Sequence, residues 1–301
     1  MTQDDRPVGR DAAATDDLSA VLAAWAARVR AHHEQTARVR ETPEATDFYA
    51  PVTQVFVADP RRTGDDVLDH LLALARPGET WLDIGAGAGR YALPLALRVA
   101  EVTALDPSPG MLEALAGLAA EHGIANVRSI RARWPVDPAT GPAPRADVAL
   151  IANLGYDVEE IGAFLDAMEA AARRLCVAVL ADASPGLAAH PFWPLVHGEE
   201  RIELPAFDDF VGLLRARGGD PREVRLPREA RGFPGRDDLL RWLRNQLFLE
   251  PGSARDAILA RELDRRIRLH DDGTATLDVP VPATTGIVRW EPPAAGEADR
   301  G

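Results

Sequence analysis

A glycine-rich turn between a short apolar run and a helical pattern is the strongest constraint on how this sequence folds. Residues 80–84 are typical of a buried strand, and Gly85, Gly87 and Gly89 follow directly. Glycine lets the backbone turn tightly and lets a ligand approach without a clash at Cβ. A helix that begins behind such a turn offers unpaired N–H groups to a negatively charged group. The turn therefore predicts an α/β protein with a ligand at the end of its first strand.

An acidic residue lies where the second predicted strand ends. Asp106 follows Gly85 by 21 residues. Ligands of open α/β sheets bind at the carboxyl ends of the strands, and a carboxylate there can accept hydrogen bonds from ribose hydroxyls. The alternative is that Asp106 caps the helix that begins near Ser108. The glycine turn and the acid together favour a nucleotide-type ligand.

The spacing of the glycines differs from that of a dinucleotide-binding turn. The dinucleotide pattern is G-x-G-x-x-G, whereas here the spacing is G-x-G-x-G and position 90 is Arg. The chain also contains no Lys, so it has no Tyr-Lys pair for hydride transfer. A nicotinamide-dependent oxidoreductase is therefore an alternative that the motif disfavours.

Strand and helix patterns alternate after residue 64, which is typical of a parallel sheet with helices on both faces. Apolar runs predict strands over residues 80–84, 101–105, 126–132, 147–152, 175–181, 223–226 and 285–290. Helical spacing of apolar residues predicts helices over residues 16–33, 64–75, 90–99, 108–121, 158–173, 207–217, 237–249 and 253–270. Residues 190–205, rich in Pro, His and aromatic residues, are predicted to form a loop.

The same patterns divide the chain into a central domain with extensions. We expect residues 1–15 and 292–301 to be tails, and residues 16–63 to form a helical lid with one or two short helices within 38–62. Residues 64–291 are predicted to form one Rossmann-like domain with a mostly parallel seven-stranded sheet. The two helices before the last strand form an insertion at about residues 230–275.

Composition excludes several classes of protein. The chain has 34 basic residues, all Arg, against 47 acidic ones, and the net charge of −13 argues against a nucleic-acid partner. Its apolar runs are shorter than the roughly 20 residues that span a bilayer, and the polar, acidic start is unlike a signal peptide. One cysteine, Cys176, excludes an intramolecular disulfide framework and a Cys-rich zinc site. We therefore expect a cytoplasmic protein with no membrane segment and no metal site.

Longer motifs around the turn and the acid carry a family resemblance. They are LDIGAGAGRY at residues 82–91, ALDPSPGML at residues 104–112, and ADVAL at residues 146–150 with Asn153 beyond it. With these motifs the sequence resembles the class I S-adenosylmethionine-dependent methyltransferases over about residues 65–185. The resemblance implies a Rossmann-like sheet, S-adenosylmethionine as cofactor and methyl transfer as the activity.

The resemblance also implies roles for individual residues. Gly85 and Gly87 would pack against the methionine part of the cofactor, with Asp83 holding the turn or the amino group. Asp106 would bind the ribose hydroxyls, and Met111 would lie against the adenine.

Two further regions of the implied site are less regular. The loop after the third strand often supplies an acid to the adenine, but here the first acid is Asp137. Backbone groups near Arg133 and Trp134 would replace it, unless the adenine pocket is unusual. Asn153, after the fourth strand, is expected close to the transferable methyl group.

The expected reaction needs no nucleophile on the enzyme, because alignment and exclusion of water assist a direct displacement. An oxygen or nitrogen acceptor can require a base, and the candidates by position are Tyr156, Asp157, His190 and His197. Each has a structural alternative as a turn or solvated-loop residue. Arg40 and two aromatic residues, Phe48 and Tyr49, are candidates for the lid.

We expect the acceptor to be a small molecule. The open alternatives are a non-enzymatic module that binds S-adenosylmethionine or a partner, a tRNA or protein methyltransferase, and the oxidoreductase considered above.

Overall fold

The computed structural model describes residues 10–43, 53, 56–183, 186–228, 232–279 and 284–293, with side chains from residue 17 onward. Strand bounds are β1 (Thr80–Ile84), β2 (Glu101–Asp106), β3 (Val127–Arg131), β4 (Ala146–Ala152), β5 (Ala172–Ala181), β6 (Arg222–Pro227), β7 (Ile267–Leu269), β8 (Ala275–Leu277) and β9 (Thr284–Trp290). Helix bounds are α1 (Arg10–Val39), α2 (Asp66–Leu74), α3 (Ala92–Ala96), α4 (Pro109–Glu121), α5 (Ile161–Ala171), α6 (Trp193–His197), α7 (Phe207–Ala216), α8 (Arg236–Leu247) and α9 (Ala254–Arg266).

Across the described residues, seven strands form one mostly parallel sheet in the order β3-β2-β1-β4-β5-β9-β6. The first five strands pair in parallel, while β9 runs antiparallel to both β5 and β6. The carboxyl ends of β1, β2, β4 and β5 therefore share one edge of the sheet, which we call the carboxyl edge. The predicted fold class is confirmed.

Helices cover both faces of this sheet. Alternate side chains of β1 explain why, since Trp81 packs with α2, α3 and α4, whereas Leu82 and Ile84 pack with α1, α5 and α7. Side chains cap the first turns of α2 and α4. At the start of α2, Asp65 Oδ1 accepts from Leu68 N at 3.0 Å. At the start of α4, the Ser108 side chain accepts from Met111 N. The side chains of β1 thus alternate between the two helix-covered faces of the sheet, and the cap at Ser108 lets α4 begin directly after the end of β2.

A third apolar cluster lies outside the two faces of the sheet. We call the part that contains it the cap, which comprises residues 186–205 and 232–279. Its core includes Phe192, Trp193, Leu243 and Leu259. The chain enters the cap after β5 and again after β6, which runs in the same direction as β5. The cap therefore lies at the carboxyl edge, where ligands of α/β sheets bind.

Helix α1 connects the sheet to the cap. Trp25 Nε1 donates to Val158 O at 2.9 Å beside α5. At the other end of the helix, the Arg40 guanidinium stacks 4.4 Å from the centroid of the Phe248 ring in the cap. The predicted lid residue Arg40 thus contacts the cap, while Phe48 and Tyr49 lie outside the described residues.

The structure corrects several predicted boundaries. Helix α1 begins at Arg10, inside the segment predicted to be a tail, and it continues to Val39. Residues 190–197, part of the segment predicted to be a loop, belong instead to a 3₁₀ helix (Leu187–Phe192) and to α6. They are helical because Ala189, Phe192 and Val196 recur at helical spacing and bury one face in the cap core.

Two further differences concern strands. The helix predicted over 158–173 ends at Ala171, because the next residues enter β5, where Ala172 pairs with Ala146 of β4. The helix predicted to end at 270 stops at Arg266, since a hairpin of β7 and β8 follows with Gly273 in its turn at φ 83°. Of the predicted tail at 292–301, residues 294–301 lie outside the described residues.

No helix in the described parts of the chain combines the length and the apolar character that a membrane crossing requires.

Candidate functional site at the carboxyl edge

The glycine turn is fixed to the end of β2 by backbone hydrogen bonds. Gly85 N and Ala86 N both donate to Leu105 O, at 2.7 and 3.1 Å. Gly87 N donates to the Asp106 carboxylate at 2.9 Å. Gly87 has φ 53°, in the left-handed region that favours glycine. The turn and the acid that the sequence analysis singled out are therefore in direct contact.

The three glycines of the turn have different surroundings. A Cβ on Gly85 would lie 2.8 Å from Leu154 Cδ2, and one on Gly89 would lie 2.8 Å from Leu93 Cγ. A Cβ on Gly87 would meet nothing closer than Met111 Sδ at 3.9 Å. Gly85 and Gly89 thus allow close packing of the protein, whereas Gly87 leaves open space beside Met111.

Asp106 holds the turn through both of its oxygens. Oδ2 accepts from Gly87 N, and Oδ1 accepts from Ser108 N at 2.8 Å. Ser108, not Asp106, caps α4, because Ser108 Oγ accepts from Met111 N at 3.1 Å. A carboxylate has about four acceptor positions, more than these two backbone groups use. Asp106 lies at the end of β2 and is 7% exposed.

Asp83 lies behind the turn and is 2% exposed. Its carboxylate accepts a backbone hydrogen bond at Ala92, where α3 begins. Burial, together with the charge of Asp106, raises the pKa of Asp83 to about 7. Among the roles considered for Asp83, this contact corresponds to holding the turn.

The segment after β4 lies against the turn. Asn153 is exposed with φ 54°, and its N–H donates to Val179 O of β5 at 2.8 Å. The next residue, Leu154, provides the side chain that covers Gly85. The structure thus brings the glycine turn, the end of β4 and the end of β2 together.

Arg133 and Trp134, in the loop after β3, have separate surroundings. Arg133 is exposed, while Trp134 Nε1 donates to Phe164 O of α5 at 3.2 Å. Trp134 therefore packs onto α5, and this contact holds the loop after β3 against that face of the sheet.

The candidate bases occupy different environments. Tyr156 is 3% exposed, its hydroxyl accepts from Ala181 N at 2.7 Å, and burial raises its pKa further from neutrality. Asp157 is exposed. His197 Nε2 lies 3.0 Å from Leu247 O inside the cap, and burial lowers its pKa. Tyr156 thus has a backbone partner in the core, and His197 has one in the cap.

His190 lines a cavity in the cap together with Arg201, which was not among the predicted site residues. The cavity holds about 320 Å³ and is lined by His190 and Arg201, among others. Arg201 lies in a segment with no motif, so only its burial in the folded chain reveals it.

The family comparison agrees with this geometry. Residues 82–175 match the sequence family described as a methyltransferase domain, and the match contains the glycine turn, Asp106 and the end of β4. Residues 82–175 thus form a methyltransferase domain. S-adenosylmethionine is the cofactor of this domain.

Curated relatives match this chain over short stretches. A 23S rRNA (uracil(1939)-C(5))-methyltransferase of Halomonas elongata is 46% identical over 54 residues, which cover 18% of this chain and 11% of that protein. An uncharacterised protein of Haemophilus influenzae is 39% identical over 72 residues, covering 24% of this chain and 26% of that protein. The chain thus matches about a quarter or less of the length of either relative.

A solved structure shows a likeness in fold over three quarters of the chain. The YcgJ protein of Bacillus subtilis superposes with a TM-score of 0.51 at 16% identity, covering 75% of this chain and 98% of that one. At that identity the likeness concerns the fold alone.

The residues at the carboxyl edge fit S-adenosylmethionine. The open space at Gly87 would admit a ligand that any side chain there would exclude. Asp106 supplies acceptor oxygens at the adjoining strand end, and Met111 supplies an apolar surface. These are the acceptor and the apolar contact that a nucleoside needs.

Proposed function

We propose that this methyltransferase transfers a methyl group from S-adenosylmethionine to a small-molecule acceptor bound between the glycine turn and the cap. The observation that carries the proposal is the contact of Gly87 N with Asp106 beside open space, at the edge of the sheet that the cap adjoins. A cap with its own apolar core supports a small acceptor, since it can enclose a ligand and exclude water.

Several residues would hold the cofactor. Asp106 would accept from the ribose hydroxyls, and Gly87 would admit the cofactor to the turn. Met111 would lie against the adenine, and backbone groups near Arg133 and Trp134 would complete that pocket. Gly85 and Asp83 would support the methionine part through the turn, and Asn153 would border the transferable methyl group.

The bound cofactor supplies a methyl group on a sulfonium. Held beside Gly87 and Asp106, it would supply this methyl group for direct transfer to an atom of the acceptor that has a lone pair. An oxygen or nitrogen acceptor then loses a proton, to solvent or to a base. The protein contributes alignment of the two reactants and exclusion of water.

Charge favours a small molecule over a nucleic acid. The chain carries a net charge of −13, and phosphate backbones are bound through excess positive charge. The rRNA methyltransferase that matches over 54 residues shares only 11% of its own length with this chain. A tRNA or protein acceptor and a module that binds the cofactor without transfer are the competing functions.

Calorimetric titration tests the cofactor part of the proposal. We expect S-adenosylmethionine and S-adenosylhomocysteine to bind to the purified protein and NAD not to bind. Asp106→Ala should weaken binding of both sulfur compounds by about tenfold or more, because hydrogen bonds to a charged group contribute roughly 1.5–3 kcal/mol. Glu113→Ala, an exposed acid on α4, is the matched control and should bind as the wild type does.

Each other result has a defined meaning. Binding of NAD alone would point to hydride chemistry. Unchanged affinity in Asp106→Ala would remove the ribose role of Asp106. Cofactor binding without methyl transfer to any of a panel of small molecules, RNA and protein would favour the non-enzymatic module.

A further inference from the structure

Arg201 is a partly buried cation without a partner of opposite charge among the described residues. Its Nε and Nη1 are buried and make no hydrogen bond there. Burial lowers the pKa of Arg201 to about 10, so the side chain stays charged at neutral pH. A charge buried without a partner is costly to the folded state. Such a charge favours the binding of a ligand that carries the opposite charge.

Other partly buried arginines of this protein show how it normally compensates such a charge. Arg244 binds both oxygens of Asp256 at 2.7 and 2.8 Å, and Arg217 binds Asp166 and Glu169 at 2.8 and 2.7 Å. In both cases the partner is a carboxylate. The chemical group that Arg201 lacks is therefore the group that these arginines bind.

The fold holds the Arg201 side chain in place. The guanidinium lies 4.7 Å from the centroid of the Trp193 ring, a cation–π contact. Gly186, with φ 91°, leaves room for Gln246 beside it, since a Cβ there would lie 2.5 Å from Gln246 Oε1, and it would be in ordinary contact with Arg201 Nη1 at 3.5 Å. The position of the guanidinium is thus fixed before any ligand binds.

Helix α1 holds the backbone on either side of Arg201. Gln35 Nε2 donates to Glu200 O at 2.7 Å, and Ile202 N donates to Gln35 Oε1 at 2.8 Å. His32 Nδ1 lies 2.7 Å from Ile202 O. One buried amide therefore fixes both neighbours of Arg201.

His190 faces the same cavity, and its Nδ1 lies 3.8 Å from Glu203 Oε1. Nε2 of His190 is buried with no hydrogen-bond partner among the described residues. Burial, with the charge of Arg201 adding to it, lowers the pKa of His190 to about 4, so the ring is neutral near pH 7. In the tautomer with the proton on Nε2, it donates one hydrogen bond.

The rest of the cavity sets the kind of ligand. Leu187, Pro191 and Pro194 give it an apolar wall, and about 320 Å³ is enough for a small ligand. Glu200 and Glu203 lie at its exposed rim. One cation beside two rim carboxylates suits a ligand group with a single negative charge better than a phosphate.

We propose that the Arg201 cavity binds the carboxylate of an acceptor with an apolar or aromatic body, through Arg201 and His190. This inference rests on the proposed function, in which the acceptor lies between the cap and the glycine turn. The cavity follows β5 at the carboxyl edge, beside the strand that Asn153 contacts. The carboxylate is held and not methylated, because a carboxylate paired with a guanidinium is a poor nucleophile.

Benzoate is the probe for this site, with benzamide as its neutral isostere and phenyl phosphate as its dianionic counterpart. Each is titrated into the wild-type protein by calorimetry, without and with S-adenosylhomocysteine. We expect benzoate to bind at least about tenfold more tightly than benzamide, as expected for a charge-assisted pair. Equal binding of benzoate and benzamide, or no binding of benzoate at 10 mM (about 2.7 kcal/mol), would overturn the proposal. If phenyl phosphate binds more tightly than benzoate, the cavity binds a phosphate group and the proposal of a carboxylate is wrong.

Two variants assign the effect to Arg201. Arg201→Met should lose benzoate binding by about tenfold or more and keep the wild-type affinity for S-adenosylhomocysteine. Arg265→Met removes the same charge from an exposed site in the cap and should bind benzoate normally. Wild-type benzoate binding in Arg201→Met would overturn the proposal. If Arg201→Met does not fold, the comparison of the probes on the wild type decides.

The two proposals fail separately in this experiment. If the wild type does not bind S-adenosylhomocysteine, the proposed function is wrong. The benzoate titration would still show whether the cavity binds a carboxylate. Normal binding of S-adenosylhomocysteine with no preference for benzoate would overturn the cavity proposal alone.

Discussion

At the scale of single residues, Gly87 differs from its neighbours in what its missing side chain does. Gly85 and Gly89 make room for Leu154 and Leu93, so their replacement would disturb packing. A Cβ added at Gly87 would have no protein atom closer than 3.9 Å, so the missing side chain makes no room for the protein itself. A side chain at Gly87 would therefore act on a ligand and on the backbone, not on the core.

Gly87→Val is expected to abolish binding of S-adenosylhomocysteine. It also places a β-branched residue at φ 53°, which should cost about 1–3 kcal/mol of unfolding free energy. Gly123→Val is the matched control, because Gly123 has φ 65° with no atom within 4 Å of an added Cβ and lies between α4 and β3. Calorimetry and urea denaturation of both variants separate the two effects. Retained affinity in Gly87→Val would mean that the glycine serves the turn alone.

The titration of Asp83 predicts a pH dependence of stability. Its pKa is about 7 in the folded protein, above the value of 3.8 that applies when it is exposed. Between these values the folded state binds more protons than the unfolded state, so stability falls as pH rises from 4 to 7. Asp83→Asn removes the charge and keeps an oxygen for Ala92. We expect its unfolding free energy, relative to the wild type, to rise by about 2 kcal/mol from pH 5 to 7.5.

Urea denaturation of both proteins at several pH values measures this difference. A difference between wild type and Asp83→Asn that stays constant with pH would mean that Asp83 titrates normally in the folded state.

At the scale of elements, local signals allowed some segments to be predicted and long-range contacts decided the others. Strand β1 is found at its predicted bounds because its run of apolar residues is bounded by Pro77-Gly78 and by the glycine turn. Ser108 caps α4 through a local contact, since a capping residue acts on its own neighbours. The β7–β8 hairpin also had a local signal, Asp272-Gly273, which is a common hairpin turn.

Other features had no local signal. Ala172 and Arg173 join β5 because β4 lies beside them, and Asp147 pairs with Arg173 at 3.0 Å. The contact of Gly87 with Asp106 followed from the order of the motifs, whereas the burial of Arg201 depends on α1, which lies far away in the sequence. The cofactor side of the site was thus predictable from motifs, and the cap side required the folded chain.

Helix α1 acts on the cap through Gln35. We expect Gln35→Ala to lower the unfolding free energy by about 1–3 kcal/mol, because it leaves Glu200 O and Ile202 N without their partner. It should also weaken benzoate binding severalfold while S-adenosylhomocysteine binds normally. Glu34→Ala, an exposed neighbour on the same helix, is the control. A stability loss with unchanged benzoate affinity would mean that Gln35 supports α1 without positioning Arg201.

At the scale of the whole molecule, the proposed cofactor site and the Arg201 cavity belong to different parts of the protein. The first is built from the ends of β1 and β2 with their following helices, and its core contacts lie on the sheet. The second is built from the cap and α1, with a separate apolar core. The segments after β4 and β5 connect them, through Asn153 N and Val179 O. A ligand in either site should therefore stabilise the part of the protein that binds it more than it stabilises the other part.

Hydrogen exchange tests this division, because ligands protect the amides of the segments that they order. We expect S-adenosylhomocysteine to slow exchange at residues 85–91 and 106–111, and benzoate to slow exchange at residues 186–204 and the end of α1. With both ligands bound, the segment 153–158 should become the most protected relative to the free protein, since it lies between the two sites. Protection of residues 85–91 by benzoate would place benzoate in the cofactor site. In that case the cavity would bind no acceptor, and the unpartnered charge of Arg201 would need another explanation.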